Sequence, residues 1–113
     1  MPPAPVYLGE FEQLVLLAVL RLGDDAYGVG IGRALEERAG RRVARGALYT
    51  TLDRLEDKGL VRWKYQAGGD ERGRVPRKTY TLTAHGLASI RSSQHALQQM
   101  AHGLDRVLGK TRP

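Results

Sequence analysis

Residues 9–22 carry apolar side chains nearly all round a helical wheel. Phe11, Leu14, Val15, Leu17, Ala18 and Leu22 lie on one side, and Leu16, Val19 and Leu20 on others. A helix patterned in this way is buried on more than one face. Gly23-Asp24-Asp25 stops it, and either aspartate is expected to cap the next helix through its carboxylate. That second helix is predicted over residues 27–38, with Ile31, Ala34, Leu35 and Arg38 at i, i+3, i+4, i+7 spacing. After a basic turn at Arg41 and Arg42, a third helix over 45–58 puts Leu48, Leu52 and Leu55 on one stripe and ends at Gly59. Two short helices joined by a tight turn make a helix-turn-helix.

Beyond Gly59 the period changes. Val61, Trp63 and Tyr65 alternate with Arg62, Lys64 and Gln66, and residues 77–82 alternate again, with a turn-rich, arginine-bearing linker between the two runs. The pattern predicts a long-looped β-hairpin. Thr83 can cap a last helix over 84–108, in which Ile90, Gln94, Leu97, Ala101, Leu104 and Leu108 form a heptad seam with one polar interruption. The expected fold is mainly α with a small β-hairpin wing: a winged helix-turn-helix with a long C-terminal dimerisation helix appended. The expected organisation is a flexible tail over 1–7, the DNA-binding unit over 8–83, the dimerisation helix over 84–109 and a tail over 110–113.

Charge sharpens this picture. The 113 residues carry a formal net charge of +6, but the excess is not spread evenly: residues 1–40 carry net −3, residues 41–80 net +6 and residues 81–113 net +3. A basic segment over the helix-turn-helix and hairpin is the electrostatic footprint expected for phosphate binding. There is no cysteine, which removes disulfides, thiolate metal sites and cysteine nucleophiles together and fits a reducing compartment. The longest apolar run, residues 14–20, is far shorter than the ~20 residues needed to span a bilayer. The start lacks a positive charge before an apolar stretch, so no secretory signal is expected. Location in the cytoplasm, without membrane contact, is the expectation.

The chain resembles the PadR family of transcriptional regulators, of the short kind with a single C-terminal helix. Tyr27-Gly28 followed by residues 34–38 carries the likeness, as do Gly46, Leu48-Tyr49, Leu52, residues 54–56, residues 59–61 and residues 77–83 with Gly86. Each piece is common, but their order and spacing together are specific. The family usually has Ser or Thr and then Pro before the glycine of the third helix, and Pro after its Leu-Tyr; here Ala44, Arg45 and Thr50 stand in those places. The resemblance implies a dimeric DNA-binding repressor or regulator, responsive to a small aromatic or amphipathic effector.

The candidate partner is double-stranded DNA, with the third helix leading into the major groove. Thr50 and Arg54 are placed to reach base edges, and Arg45 and the Tyr49 hydroxyl to reach phosphate. In the resembled family the matching tyrosine sits at the DNA surface; the alternative for Tyr49 is a half-buried core aromatic. Arg72 and Arg74 fit the tip of a wing in a narrow minor groove, and Arg77, Lys78, Arg41 and Arg42 are further phosphate candidates. Surplus apolar positions Phe11, Leu14 and Leu17, with Ile90, Leu97, Met100, Leu104 and Leu108, suit a homodimer interface. Trp63 is either an effector contact or, with Val61 and Tyr65, packing between hairpin and helices.

Other motifs carry less. Gly28, Gly30 and Gly32 follow a helix instead of a strand and miss the spacing of a phosphate-cradling loop. His85, His95 and His102 lack ligand-spaced neighbours, and no catalytic motif is present, so neither a metal, a cofactor nor an enzymatic activity is expected. An architectural binder held by charge alone is the rival reading.

Overall fold

Because α1 (Glu10–Leu22) is apolar on several faces, the other elements assemble around it. A computed structural model describes residues 3–66 and 76–109. After α1 come a 3-10 turn (Gly23–Asp25), α2 (Gly28–Ala39), α3 (Arg45–Asp57), β1 (Val61–Gln66), β2 (Arg77–Leu82), α4 (Ala84–Ala101) and α5 (Asp105–Leu108). α1 packs against α2, α3, α4 and β2. Val15, Leu16 and Val19 of α1, Ile31 and Leu35 of α2, Leu48, Leu52 and Leu55 of α3, and Leu60, Val61, Tyr80 and Ile90 form one buried cluster.

The hairpin is antiparallel, with Val61 opposite Leu82, Trp63 opposite Tyr80 and Tyr65 opposite Lys78. Partners in a register share a face, so one face runs from buried Val61 and Tyr80 outward to Tyr65, which is 61% exposed. The hairpin thus leaves the body of the molecule at Tyr65. The free edge of β2 is also used: Tyr27 bridges Thr79, and the Tyr80 amide donates to the Ala26 carbonyl at 3.0 Å. This pairing docks the wing onto the start of α2.

Thr83 caps α4 as its position suggests, its hydroxyl accepting from the Gly86 amide at 3.0 Å. Three expectations change. Neither Asp24 nor Asp25 caps α2; both belong to the 3-10 turn, and Tyr27 holds the N-cap position without a side-chain bond. The last helix does not run unbroken to Leu108. It ends at Ala101, the chain turns at Gly103 with φ +83°, and a four-residue helix follows. Apolar spacing persists across this break, which is why periodicity alone passes over it.

The third change concerns the expected tail over 1–7, in which Ala4 and Val6 are tied to α4. The Val6 amide donates to the buried Ser89 hydroxyl at 2.9 Å, the Ala4 carbonyl lies 2.9 Å from His85 Nε2, and Leu8 is buried. Residues 110–113 lie outside the described part. Among the described residues no helix is long and apolar enough to cross a membrane.

Candidate nucleic-acid interface

The buried stripe of α3, which includes Thr51 as well as Leu48, Leu52 and Leu55, decides what the helix shows to solvent. Arg45, Gly46, Thr50, Asp53, Arg54 and Asp57 are exposed, and Tyr49 is half-buried on the flank. Ala44 occupies the N-cap and makes no side-chain capping bond. The first amides of α3 therefore point outward without a partner from a cap, an arrangement that favours an anion.

Tyr49 lies across the first residue of α2. A Cβ on Gly28 would overlap the Tyr49 hydroxyl, so residue 28 must lack a side chain for the ring to take this position. Two surface grooves meet there. One, of about 340 Å³, runs from Tyr49, Tyr27 and Val29 to Tyr65, Arg77 and Lys78. The other, of about 190 Å³, runs from Tyr49 and Val29 to Arg33, Arg42 and Arg45. The joined groove carries cations at both ends, with the carboxylate of Glu36 among those of the second, and tyrosines in the middle.

The two cations at the wing end are held by aromatic faces. The Arg77 guanidinium lies 4.9 Å from the centroid of Tyr27, and Lys78 Nζ lies 4.1 Å from that of Trp63. Trp63 in turn meets Tyr65 edge-on at 5.1 Å. Cation–π contact holds a positive charge in place without neutralising it, which keeps the wing base available to phosphate. Arg42 reaches Glu36 at 3.5 Å with both side chains exposed, a weak pair.

The candidates from sequence are thus distributed unequally. Arg42, Arg45, Tyr49, Arg77 and Lys78 line the joined groove. Thr50 and Arg54 stand exposed on α3 beside it. Arg41 turns the other way, bonding Glu10 at the start of α1 at 2.9 Å. Arg72 and Arg74 lie outside the described residues. Trp63 is half-buried with Lys78 over its ring, so a flat ligand could stack there only by displacing the lysine. Of the dimer candidates, Leu17, Leu97, Met100, Leu104 and Leu108 are exposed apolar side chains, and Phe11 and Leu14 are partly buried. Ile90 does not belong with them. It is 2% exposed, sealed in the chain's own core, because α4 packs on α1 at that level. Gln94 of the seam is spoken for within the chain, donating to Gln13 at 3.3 Å.

Sequence reasoning missed Tyr27, Val29 and Arg33 as groove residues, and Leu20 and Val107 as exposed apolar ones. The signal for Arg33 was its place on the polar side of α2, opposite Ile31 and Leu35. Tyr27 had no signal beyond its motif, because the edge pairing that brings it to Arg77 joins residues far apart in sequence.

Residues 16–92 match the model of the transcriptional regulator PadR-like family. The chain belongs to that family. A PadR-family transcription regulator from hypervirulent Clostridium difficile R20291 superposes with a TM-score of 0.70 at 23% identity, over 87% of this chain and 98% of that one. A PadR-family regulator from Eggerthella lenta DSM 2243 gives 0.64 at 28% identity, over 90% and 88%. Bacillus subtilis PadR, crystallised in complex with operator DNA, gives 0.62 at 23% identity, over 75% of this chain and 47% of that one. A comparison with curated protein sequences returned no match. The PadR match begins within α1 and ends within α4, so it takes in both grooves.

Proposed function

We propose that this PadR-family protein is a sequence-specific DNA-binding regulator, a homodimeric repressor that occludes a promoter at a pseudo-palindromic site and is released by a small aromatic or amphipathic effector. The observation that carries the DNA-binding part is the groove joined at Tyr49, with cations at both ends, beside the exposed face of α3. Phosphates held at the two ends would orient the protein, leaving Thr50 and Arg54 to read bases. The operator complex of the related Bacillus subtilis protein supports the same use of the fold. Dimer formation is supported by the outer half of α4, where Leu97 and Met100 are 56% and 79% exposed. Apolar side chains so displayed on a projecting helix suit a second copy.

The test is fluorescence anisotropy at near-physiological salt with the duplex upstream of the protein's own gene and excess random duplex as competitor. A dimer-stoichiometric complex preferring its site by roughly 10³ or more is expected. Equal competition by random duplex contradicts the reading and favours an architectural binder.

A further inference from the structure

Glu12 is the one charged residue that the described chain buries, at 9% exposure. Its two oxygens serve different elements. Oε1 accepts from the Gly9 amide at 3.0 Å, and Oε2 accepts from Lys58 Nζ at 2.6 Å. Gly9 precedes α1, whereas Lys58 is the C-cap of α3, its own amide donating to the Arg54 carbonyl. A single carboxylate thereby ties the start of α1 to the end of α3.

The leucine stripe of α3 decides which face points inward, but apolar burial is non-directional and leaves tilt and axial rotation loosely defined. A charge-assisted bond at one end instead holds one point of α3 at a short, fixed distance from one point of α1. Over 13 residues, about 20 Å of helix, a small rotation at Lys58 becomes a displacement at Arg45 and Tyr49. We propose that Glu12 and Lys58 are positioning residues for the reading helix: their pair fixes the tilt of α3 on α1, and so the angle at which Thr50 and Arg54 meet base edges. This rests on the reading of α3 as the DNA-reading helix.

Charge and positioning predict opposite signs. Glu12→Gln removes a negative charge that acts on Arg54 as well as Lys58 and leaves one acceptor oxygen for two donors, so charge alone tightens binding to every duplex and leaves the preference equal or higher. Positioning instead lowers the preference for the cognate site over random duplex by roughly tenfold, the value of one well-made base contact.

The experiment selects the preferred duplex with wild-type protein from a random library. It then compares wild type, Glu12→Gln and the swap Glu12→Lys with Lys58→Glu on that duplex and on a scrambled one, with thermal unfolding in parallel. The expected result is a folded Glu12→Gln protein whose preference falls roughly tenfold, and partial recovery in the swap. An undiminished preference in Glu12→Gln overturns the proposal while leaving the DNA reading intact. A wild type with no preferred duplex overturns both. If Glu12→Gln does not fold, Lys58→Met carries the same test, because the ratio of the two affinities cancels the lost charge, and an undiminished ratio overturns the proposal.

Discussion

The Tyr49 hydroxyl occupies the space in which a side chain on Gly28 would begin. The Tyr49 ring can lie across the first residue of α2 only because residue 28 is glycine, and the ring so placed is where the two grooves meet. Gly28→Ala is therefore expected to cost about 1–3 kcal/mol by overpacking and to weaken DNA binding by pushing Tyr49 aside. Gly32, one turn along the same helix, is the control. A Cβ there would stand 3.8 Å from a Leu48 methyl, an ordinary contact, so Gly32→Ala should stabilise by up to about 1 kcal/mol through helix propensity. Denaturant unfolding of both variants checks the opposite signs.

Arg77 and Arg41 are both exposed arginines in the basic segment, yet they are predicted to behave differently. Arg77 lines the groove, whereas Arg41 lies outside both grooves, in an exposed pair with Glu10. In a titration of affinity against salt, Arg77→Ala should flatten the logarithmic slope by roughly one unit and Arg41→Ala should leave it nearly unchanged. Equal flattening by both would show that charge count, not the groove, governs binding.

Among the described residues, Glu12 and Tyr80 give stability a dependence on pH. Burial works to raise the Glu12 carboxyl, but the hydrogen bond from Lys58, the Gly9 amide and the charges of Lys58 and Arg54 outweigh it, leaving the group below its usual 4.5. A depressed carboxylate adds stability that is present above the unfolded value and lost as pH falls through the folded one. Unfolding free energy should therefore decline on acidification below 4.5, less steeply in Glu12→Gln.

Tyr80 acts at the other end of the scale. Burial, with smaller contributions from Tyr49, Asp53, Glu56 and Tyr65, pushes its phenol up from 10.0 to about 12. A raised group adds stability that is present below the unfolded value and lost as pH rises from 10 toward 12. Among the described residues its hydroxyl has no hydrogen-bond partner, so Tyr80→Phe should gain on the order of 1 kcal/mol at neutral pH and remove this alkaline loss. Thermal melts from about pH 2 to about pH 12 cover both windows.

Much of this arrangement was legible in the chain. Glycines and the leucine stripe bounded α3, two-residue alternation marked the hairpin, and Thr83 announced α4. What escaped has a common physical cause: it depends on contacts between distant segments. The pairing of Tyr27 with Thr79, the seating of Val6 on Ser89 and the burial of Ile90 follow from which elements meet, which spacing along one element does not report. The break at Gly103 escaped for a different reason, since Leu104 and Leu108 continue the heptad count although the backbone does not continue the helix.

Exposure of the outer half of α4 gives a prediction about assembly. Met100→Glu places a charge in the middle of the apolar display and should shift sedimentation from dimer toward monomer, and Leu97→Glu should do the same. Neither should lower the unfolding free energy of the monomer by more than about 0.5 kcal/mol, because both side chains face solvent in the single chain. A wild type that sediments as a monomer at all concentrations would contradict the homodimer.

The groove joined at Tyr49 is tested most directly by titrating isotope-labelled protein with a selected duplex and following amide shifts by NMR. The largest changes should fall on Gly28, Val29, Arg45, Gly46, Tyr49, Arg77 and Lys78, with Arg41 and Ser89 little affected. Changes concentrated on α4, or spread evenly over every exposed basic residue, would contradict a DNA interface built on that groove.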